Sequence, residues 1–265
     1  MSSRKRGGDT LSRLASNTEH TQQMKERIDK LLFERGMAKS RQQAQALILG
    51  GDVVVDERRV DKPGTRIDIS ASIRLKAPPR PHVSRGGLKL ERALEVFAPD
   101  IQGRVCLDVG ASTGGFTDCL LQKGAARVYA VDVGHNQLDW KLRSDSRVVS
   151  IEGLNARHLK FEDIGTTVDL ITLDVSFISL TLVLPALRPF TKEVTRILCL
   201  IKPQFEVGKG QVEKGGLVTD PAKHQEVILK IQSHAEHLGY RVLGVIDSPI
   251  LGAEGNKEFF VGLSR

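Results

Sequence analysis

Hydrophobic and polar positions alternate with different periods along the chain, and these periods predict its elements. Residues 1–23 are polar and basic and have no apolar period, so we expect a disordered tail. In the stretch KERIDKLLFERGM, Ile28, Leu31 and Leu32 follow the spacing of a helix. The stretch SRQQAQALILGG repeats this plan, with Ser40 as the N-cap. The pattern therefore predicts two short helices after the tail.

Short strands and a boundary follow these helices. The stretch DVVVDERRVDKPGTRIDI alternates in short pieces that turn residues interrupt, which indicates small strands and hairpins. Together with the two helices it predicts a small α+β domain over residues 24–75. Proline and glycine then dominate KAPPRPHVSRGG, so residues 76–87 are predicted to form a linker. The second domain is expected to span residues 88–265.

Strand-like and helix-like runs alternate regularly in this second domain. The apolar runs RVCLDVG, RVYAVDVG, RVVSIEG, VDLITLD and TRILCLIKP are typical of buried strands, and helical stretches separate them. Such alternation predicts a parallel, doubly wound α/β sheet. The last two strands, in YRVLGVIDSPI and KEFFVGLSR, are too close in sequence for a parallel crossover and must pair as an antiparallel hairpin. A parallel sheet that ends in this way resembles the Rossmann-like methyltransferase fold.

A loop rich in glycine follows the first strand of this sheet, in LDVGASTGGFTDCLL. Open α/β sheets bind ligands at the carboxyl ends of their strands, so this loop is a candidate cofactor site. Ser112 stands where a dinucleotide-binding loop has its second glycine, and a side chain there crowds a pyrophosphate. The pattern is similar instead to the DxGxGxG loop of S-adenosylmethionine-dependent methyltransferases. The loop residues predicted to contact this cofactor are Asp108, Gly110, Ser112, Thr113, Gly114, Gly115 and Phe116.

Two later strand ends extend the predicted cofactor site. Asp132, with Val133 after it, ends the second strand, where a carboxylate can accept hydrogen bonds from ribose hydroxyls. Asn155 follows the third strand, where such enzymes contact the adenine, although an asparagine that only makes a turn is an equal alternative. We therefore expect S-adenosyl-L-methionine as the cofactor.

Composition and charge narrow the class of protein further. The 265 residues carry a net charge of +7, and the first 100 hold all of it, with 20 basic and 13 acidic residues against 19 of each in the remainder. This asymmetry predicts an amino-terminal module that binds a polyanion. The chain has no long apolar run and no signal peptide, so we expect a cytoplasmic protein without a membrane partner. Its three cysteines suit neither a disulfide framework nor a metal site.

Four charged residues are candidates for catalysis. Asp174 ends the fourth strand and Lys202 the fifth, so both are expected at the rim that carries the glycine loop. Lys89 begins the first helix of the domain, and Glu258 starts the last strand. If the methyl acceptor is a hydroxyl such as the 2′-hydroxyl of a ribose, it is a poor nucleophile and must lose its proton as it attacks the methyl group. Lys202 is predicted as the base and Lys89 as its electrostatic partner. Asp174 is predicted to orient the lysine, with Glu258 as an outer member.

Other methyl acceptors leave traces that this chain lacks. Methylation of an exocyclic amine usually involves an Asp/Asn-Pro-Pro-aromatic turn after the fourth strand, whereas this chain has LDVSF there. Methylation of cytosine carbon 5 needs a nucleophilic cysteine near the site, and Cys106, Cys119 and Cys199 fall inside predicted strands or a helix. A hydroxyl acceptor is therefore favoured.

The order of these motifs resembles a known family. The stretch RIDKLLFERGMAKSRQQAQALILGGDV is similar to the small RNA-binding domain shared by a small-subunit ribosomal protein, pseudouridine synthases and tyrosyl-tRNA synthetases. The motifs SRGGLKL, LDVGASTGGFTDCLL, LDVSFISL, IKPQFE and GNKEFF resemble those of FtsJ-like ribose 2′-O-methyltransferases, whose Lys-Asp-Lys-Glu tetrad matches the four candidate catalytic residues. The fusion of the two resembles the TlyA family, often labelled hemolysin A.

This resemblance implies a function and a partner. It implies a ribosomal RNA cytidine-2′-O-methyltransferase that acts on ribosomal RNA or ribosomal subunits, and we expect a monomer that needs no metal. The residues expected to bind RNA are Arg27, Lys39, Ser40, Arg41 and Arg85. We expect the three arginines to be able to hold phosphates with both prongs of the guanidinium group. The alternatives are a membrane-active, hemolysin-like protein, a small-molecule methyltransferase and a non-catalytic RNA-binding protein.

Overall fold

The computed structural model describes residues 24–76, 81–98, 100–208, 210–252 and 255–265. The chain divides into two compact units, Met1–Pro79 and Arg80–Arg265. The predicted tail and part of the predicted linker lie outside the described residues, so the domain boundaries stay predictions. Within the described part, a helix already begins at Gly86, inside the range predicted as a linker.

The described residues of the first unit form two helices and five short strands. In chain order these are β1 (Lys25–Arg27), α1 (Ile28–Glu34), α2 (Arg41–Leu49), β2 (Val53–Val55), β3 (Arg58–Arg59), β4 (Arg66–Asp68) and β5 (Ile73–Leu75). Strands β1 and β4 pair with each other, and β2 lies between β3 and β5. Ile28, Leu32, Ala44 and Ile48 are fully buried between the two helices and the strands. The unit is therefore a small α+β domain, as the pattern predicts.

The start of the first helix differs from the prediction. Lys25–Arg27 is extended rather than helical, because it pairs antiparallel with Arg66–Asp68. A local helical pattern does not reveal a strand partner about forty residues away. The helix therefore begins at Ile28, three residues later than the pattern predicts. The second helix begins as predicted, with Ser40 Oγ accepting a hydrogen bond from the backbone N–H of Gln43 at 3.1 Å.

The second unit is built around a seven-stranded sheet. Its strands are β6 (Val105–Val109), β7 (Arg127–Val131), β8 (Val148–Ile151), β9 (Val168–Leu173), β10 (Thr191–Ile201), β11 (Arg241–Asp247) and β12 (Phe259–Ser264). They lie in the order β11-β12-β10-β9-β6-β7-β8. Strands β6 to β10 are parallel where they pair, while β12 is antiparallel to both β10 and β11. The predicted Rossmann-like methyltransferase fold with its terminal hairpin is confirmed.

Helices cover the two faces of this sheet. They are α3 (Gly86–Phe97), α4 (Gly115–Gln122), α5 (Trp140–Arg143), α6 (Phe161–Ile164), α7 (Leu180–Val183), α8 (Pro203–Glu206) and α9 (Pro221–His237). Helix α7 is only one turn long and continues as a 3₁₀ turn over Leu184–Phe190, because Pro185 and Pro189 interrupt it. Two apolar clusters fill the space between the helices and the sheet, one on each face.

The three cysteines belong to these apolar clusters. Cys106, Cys119 and Cys199 are buried and unbonded to one another, and burial raises the pKa of Cys106 and Cys119 to about 12. Such thiols are inert packing groups rather than nucleophiles. In the part of the chain that the structure describes, no helix combines the length and apolar character that a membrane crossing requires.

Candidate active site

The glycine loop between β6 and α4 packs tightly against the end of β9. The backbone N–H groups of Gly110 and Ala111 both donate to the carbonyl oxygen of Val131, at 2.8 and 3.1 Å. Gly110 has φ +83°, and a Cβ atom there would lie 2.5 Å from the carbonyl oxygen of Asp174. A side chain at Gly110 would therefore push the loop away from the strand end that carries Asp174.

Asp132, at the end of β7, closes the other side of this loop. Its Oδ2 accepts a hydrogen bond from the N–H of Ser112 at 2.8 Å, and its Oδ1 accepts one from Gly134 at 2.7 Å. Ser112 itself has φ +49°, a left-handed conformation that is uncommon for a side-chain-bearing residue. The carboxylate thus fixes the loop, and each oxygen keeps a further lone pair for a ligand.

A cavity of about 900 Å³, called the first cavity here, opens beside the loop. Its polar lining includes Gly110, Ser112, Asp132, Asn155 and Gln204, and its apolar lining includes Val133, Leu154, Ile178 and Phe177. A carboxylate beside an apolar wall fits a nucleoside, because the sugar hydroxyls need acceptors and the base needs apolar faces. The polar and apolar groups that line the first cavity therefore fit S-adenosylmethionine.

Asn155 makes the turn that the sequence offers as one of its two interpretations, while its contact with an adenine stays a prediction. Its Oδ1 accepts hydrogen bonds from the backbone N–H and the Nε of Arg157, at 3.1 and 3.3 Å, and so begins a 3₁₀ turn. The same residue lines the first cavity. Its amide N–H₂ group is free of hydrogen bonds to other described residues, so it can donate to a ligand.

A cavity of about 490 Å³, called the second cavity, adjoins the first. It is lined by all four candidate catalytic residues and by Ser84, Arg85, Thr113, Gly115, Phe116 and Phe205. The two cavities share Gly110, Ser112, Asp174, Ser176, Phe177, Gln204 and Phe205. A ligand in one cavity can therefore reach a ligand in the other past the end of β9.

The four candidate catalytic side chains of the second cavity form two ion pairs. Lys202 Nζ lies 2.6 Å from Asp174 Oδ1 and donates a hydrogen bond to Ser176 Oγ at 2.9 Å. Lys89 Nζ donates to Glu258 Oε2 at 2.5 Å, and both of these side chains are about nine-tenths or more buried. Each lysine thus has its own carboxylate, which offsets the cost of placing an ammonium group in a closed site.

Two residues predicted to touch the cofactor line neither cavity. Asp108 is fully buried beneath the loop, where it accepts hydrogen bonds from Thr117 Oγ1 at 2.7 Å and from Thr172 Oγ1 at 3.0 Å. Burial raises the pKa of Asp108 to about 7. Gly114 faces Leu138 and Leu142. Both residues therefore shape the loop from behind rather than contact a ligand, which corrects the expectation.

Three further loop residues lie on the second cavity instead of the first. They are Thr113, Gly115 and Phe116. A Cβ atom on Gly115 would lie 2.1 Å from Ser84 Oγ, so this glycine lets the start of α3 approach the loop. Phe116 packs on Phe260 with a ring separation of 6.0 Å. The sequence pattern could not assign these residues to a cavity, because the position of α3 decides it.

The predicted RNA-binding residues of the first unit are partly engaged within it. Arg27 donates through Nε and Nη2 to Asp29, both at 3.0 Å, and Arg41 donates through Nη2 to the same carboxylate at 3.2 Å. The prediction that Arg27 can hold a phosphate with both prongs of its guanidinium group is therefore wrong, because Nε and Nη2 already donate to Asp29. Ser40 caps α2, and the side chain of Lys39 is exposed. Arg85, in the second unit, is exposed and lines the second cavity.

Several residues of the site were missed at the level of sequence. Ser176, Phe177 and Gln204 line both cavities. Phe177 is 91% exposed with φ +63°, and its ring lies 4.9 Å from that of Phe205. Their position next to Asp174 and Lys202 in LDVSF and IKPQF is the only sequence feature that marks them. Among the described residues, no three His, Cys, Asp or Glu side chains are placed to hold a metal ion.

Comparison with known proteins agrees with this geometry. The family model for FtsJ-like methyltransferases matches residues 82–265, and the S4 domain model matches residues 26–73. The fold and the site thus define a methyltransferase joined to an S4 domain. A solved S-adenosylmethionine-dependent methyltransferase from Listeria monocytogenes shares the fold at 14% identity, with a TM-score of 0.51 over 69% of this chain and 99% of that one.

Two closer relatives define the family. The 16S/23S rRNA (cytidine-2′-O)-methyltransferase TlyA of Mycobacterium tuberculosis is 50% identical over 89% of this chain and 89% of its own length. A structure of a Streptococcus thermophilus protein, named there as a hemolysin, is 43% identical and gives a TM-score of 0.70 over 92% of this chain and 89% of that one. The chain belongs to the TlyA family of FtsJ-like methyltransferases.

Proposed function

We propose that this protein transfers a methyl group from S-adenosylmethionine to the 2′-hydroxyl of a cytidine in ribosomal RNA. The observation that carries the proposal is the meeting of two cavities at the Asp174–Lys202 pair, one suited to a nucleoside and the other lined by paired lysines and carboxylates. The similarity to TlyA of M. tuberculosis supports the choice of cytidine and of ribosomal RNA. Such a substrate assigns the work of the protein to the cytoplasm.

The first cavity would hold the cofactor. Asp132 would accept hydrogen bonds from its ribose hydroxyls, Asn155 would contact the adenine, and Val133 would pack against the base. Gly110, which packs against the carbonyl oxygen of Asp174, would place the backbone of the loop beside the amino-acid part. When bound, S-adenosylmethionine supplies an electrophilic methyl carbon on a sulfonium centre. Ser112 and Gly110, which line both cavities, would hold the cofactor on the side that faces the second cavity.

The second cavity would hold the ribose and remove its proton. Lys202, when neutral, presents a lone pair that can accept the proton of the 2′-hydroxyl. Asp174, 2.6 Å away, compensates the positive charge that then forms on Nζ. Lys89 and Glu258 form a second ion pair on the same cavity, so Lys89 adds no net positive charge beside the new ammonium. The remaining contribution is placement of the oxygen in line with the methyl carbon.

Basic residues on both units would bring the RNA to this cavity. Lys39 and Arg41 are exposed on the first unit, and Arg85 lies at the second cavity. Arg27 keeps its Nη1 group for a phosphate while its Nε and Nη2 hold Asp29. These contacts would fix the position of the backbone and leave the choice of base to other groups.

The test is methyl transfer to ribosomal subunits by the native chain, by Lys202→Ala and by Lys160→Ala, a control at an exposed lysine. We expect Lys202→Ala to abolish transfer while its affinity for S-adenosylmethionine, measured by calorimetry, changes less than about fivefold. Lys160→Ala should behave as the native chain does. Transfer by Lys202→Ala at near-native rates would contradict the assignment of the base.

A further inference from the structure

We propose that Ser176 is a positioning residue for methyl transfer, because its hydroxyl fixes the direction in which the Lys202 amine presents its lone pair. The inference rests on the proposed function, since it concerns the base of that reaction. Ser176 stands two residues after Asp174, in LDVSF, where amine methyltransferases carry the second proline of their Asp/Asn-Pro-Pro-aromatic turn. A proline there could accept no hydrogen bond through its side chain.

The contacts of Lys202 Nζ carry this argument. Asp174 Oδ1 lies 2.6 Å from Nζ, but no hydrogen bond of acceptable angle reaches this oxygen from the described residues. The contact is therefore an ion pair that sets charge more than direction. Ser176 Oγ, in contrast, accepts a hydrogen bond from Nζ at 2.9 Å. The hydroxyl is thus the group that restrains rotation of the amine about the Cε–Nζ bond.

A neutral amine makes this restraint matter. It has two N–H groups and one lone pair, and rotation about the Cε–Nζ bond can present either kind of group to a substrate. With one N–H directed to Ser176 and the other near Asp174, the lone pair is left for the second cavity, which Lys202 lines. After the hydroxyl proton has passed to this lone pair, the ammonium keeps the same two contacts. Without Ser176, an N–H can turn towards the substrate oxygen instead.

The segment that carries Ser176 is held at both of its ends. Asp174 donates its backbone N–H to Val109 at 2.9 Å, and Leu180 donates its own to Glu206 Oε1 at 2.6 Å. Glu206 also accepts a hydrogen bond from Ser179 Oγ at 2.6 Å and is only 5% exposed. The hydroxyl of Ser176 therefore meets Lys202 from a fixed backbone, as a positioning group requires.

The experiment compares single-turnover methyl transfer by the native chain, Ser176→Ala, Ser176→Thr and Ser144→Ala. Ser144 is an exposed serine whose hydroxyl bonds only to carbonyl groups of its own helix, so it is a matched control. We expect Ser176→Ala to slow the saturated rate about 10- to 100-fold. Its affinities for S-adenosylmethionine and for ribosomal RNA, measured by calorimetry and filter binding, should stay within about threefold of native. Ser176→Thr, which keeps the hydroxyl, should recover most of the rate.

Each remaining outcome overturns the inference in a distinguishable way. A saturated rate for Ser176→Ala within twofold of native would show that the hydroxyl does not position the base. Equal loss in Ser176→Thr and Ser176→Ala would assign the effect to the packing of the loop. If the native chain binds S-adenosylmethionine but transfers no methyl group to ribose, the proposed function fails and takes this inference with it.

Discussion

The two lysines of the second cavity are each matched by one carboxylate. Their positions at strand and helix ends could be predicted, because the carboxyl ends of parallel strands share one rim. The pairing of these side chains could not be predicted. Lys89 forms an ion pair with Glu258 and is not the partner of Lys202, because the packing of α3 decides which side chains are in contact. The hydrogen bond between Lys202 and Ser176 could not be predicted either, because it depends on a loop in which the backbone of Phe177 is left-handed.

Asp108 offers a pH test at the residue scale. Burial raises its pKa to about 7 in the folded state, so the folded chain binds more protons than the unfolded chain between about pH 4 and 7. The stability that the raised pKa of Asp108 contributes is fully present below the ordinary pKa of an aspartate, and it is lost as the pH rises towards 7. Asp108→Asn removes the titration. We expect its free energy of unfolding, relative to native, to rise by about 1.4 kcal/mol per pH unit from pH 5 to 7.

Urea unfolding at several pH values, followed by circular dichroism, measures this difference. Asp100→Asn, at an exposed carboxyl paired with Arg104, is the control and should follow the native chain. Parallel stability curves for Asp108→Asn and native would mean that the buried carboxyl is ionised throughout.

Asp29 offers the opposite case in the first unit. The guanidinium of Arg27, followed by Gln45 and Arg41, holds the pKa of this buried carboxyl well below its usual range. Its contribution is therefore present above about pH 4 and is lost as the pH falls further. We expect Asp29→Asn to lower the free energy of unfolding by about 2–3 kcal/mol at neutral pH, because two arginines lose their shared anion. The exposed Asp61→Asn is the control.

Denaturant unfolding at pH 7 and at pH 3 checks this prediction. The penalty of Asp29→Asn should be smaller at the lower pH, where the unfolded chain takes up a proton at this carboxyl while the folded chain keeps it ionised. A negligible loss of free energy of unfolding in Asp29→Asn at pH 7 would show that the contacts of Asp29 with the two arginines do not stabilise the fold.

At the scale of elements, the site depends on the approach of α3 to the glycine loop. The sequence predicts this helix and this loop separately. It does not show whether a glycine of the loop is needed for cofactor binding or for helix packing. In the structure, a Cβ atom on Gly115 would lie 2.1 Å from Ser84 Oγ and 3.1 Å from the backbone nitrogen of Gly87. Gly115 is therefore required by helix packing, whereas the methyltransferase pattern alone would have assigned it to the cofactor.

Gly115→Ala tests this packing. The added methyl group should displace the start of α3, and with it Lys89, from the second cavity. We expect methyl transfer to fall by at least about tenfold while affinity for S-adenosylmethionine falls less than about threefold. The control is Gly208→Ala, where the nearest atom to the added Cβ would be 3.8 Å away. Native rates in Gly115→Ala, or an equal loss of cofactor binding, would contradict this separation of the two cavities.

At the scale of the whole molecule, charge is divided unequally along the chain. The first 100 residues carry the entire excess of seven positive charges, and this could be read directly from the sequence. Affinity for ribosomal RNA should therefore fall steeply with salt, because each phosphate contact releases counterions. Lys39→Ala should lower the slope of log affinity against log salt by about one, whereas Lys160→Ala should leave it unchanged. Filter binding between 50 and 200 mM salt measures this, and a slope near zero for the native chain would contradict it.

The position of the transferred methyl group tests the central claim most directly. Purified chain, ribosomal subunits and S-adenosylmethionine with a radiolabelled methyl group are incubated, and the RNA is then hydrolysed in alkali. A 2′-O-methyl group blocks alkaline cleavage, so we predict that the label appears in alkali-resistant dinucleotides that begin with 2′-O-methylcytidine. Label in ordinary mononucleotides, which would carry the methyl group on a base, would contradict the account.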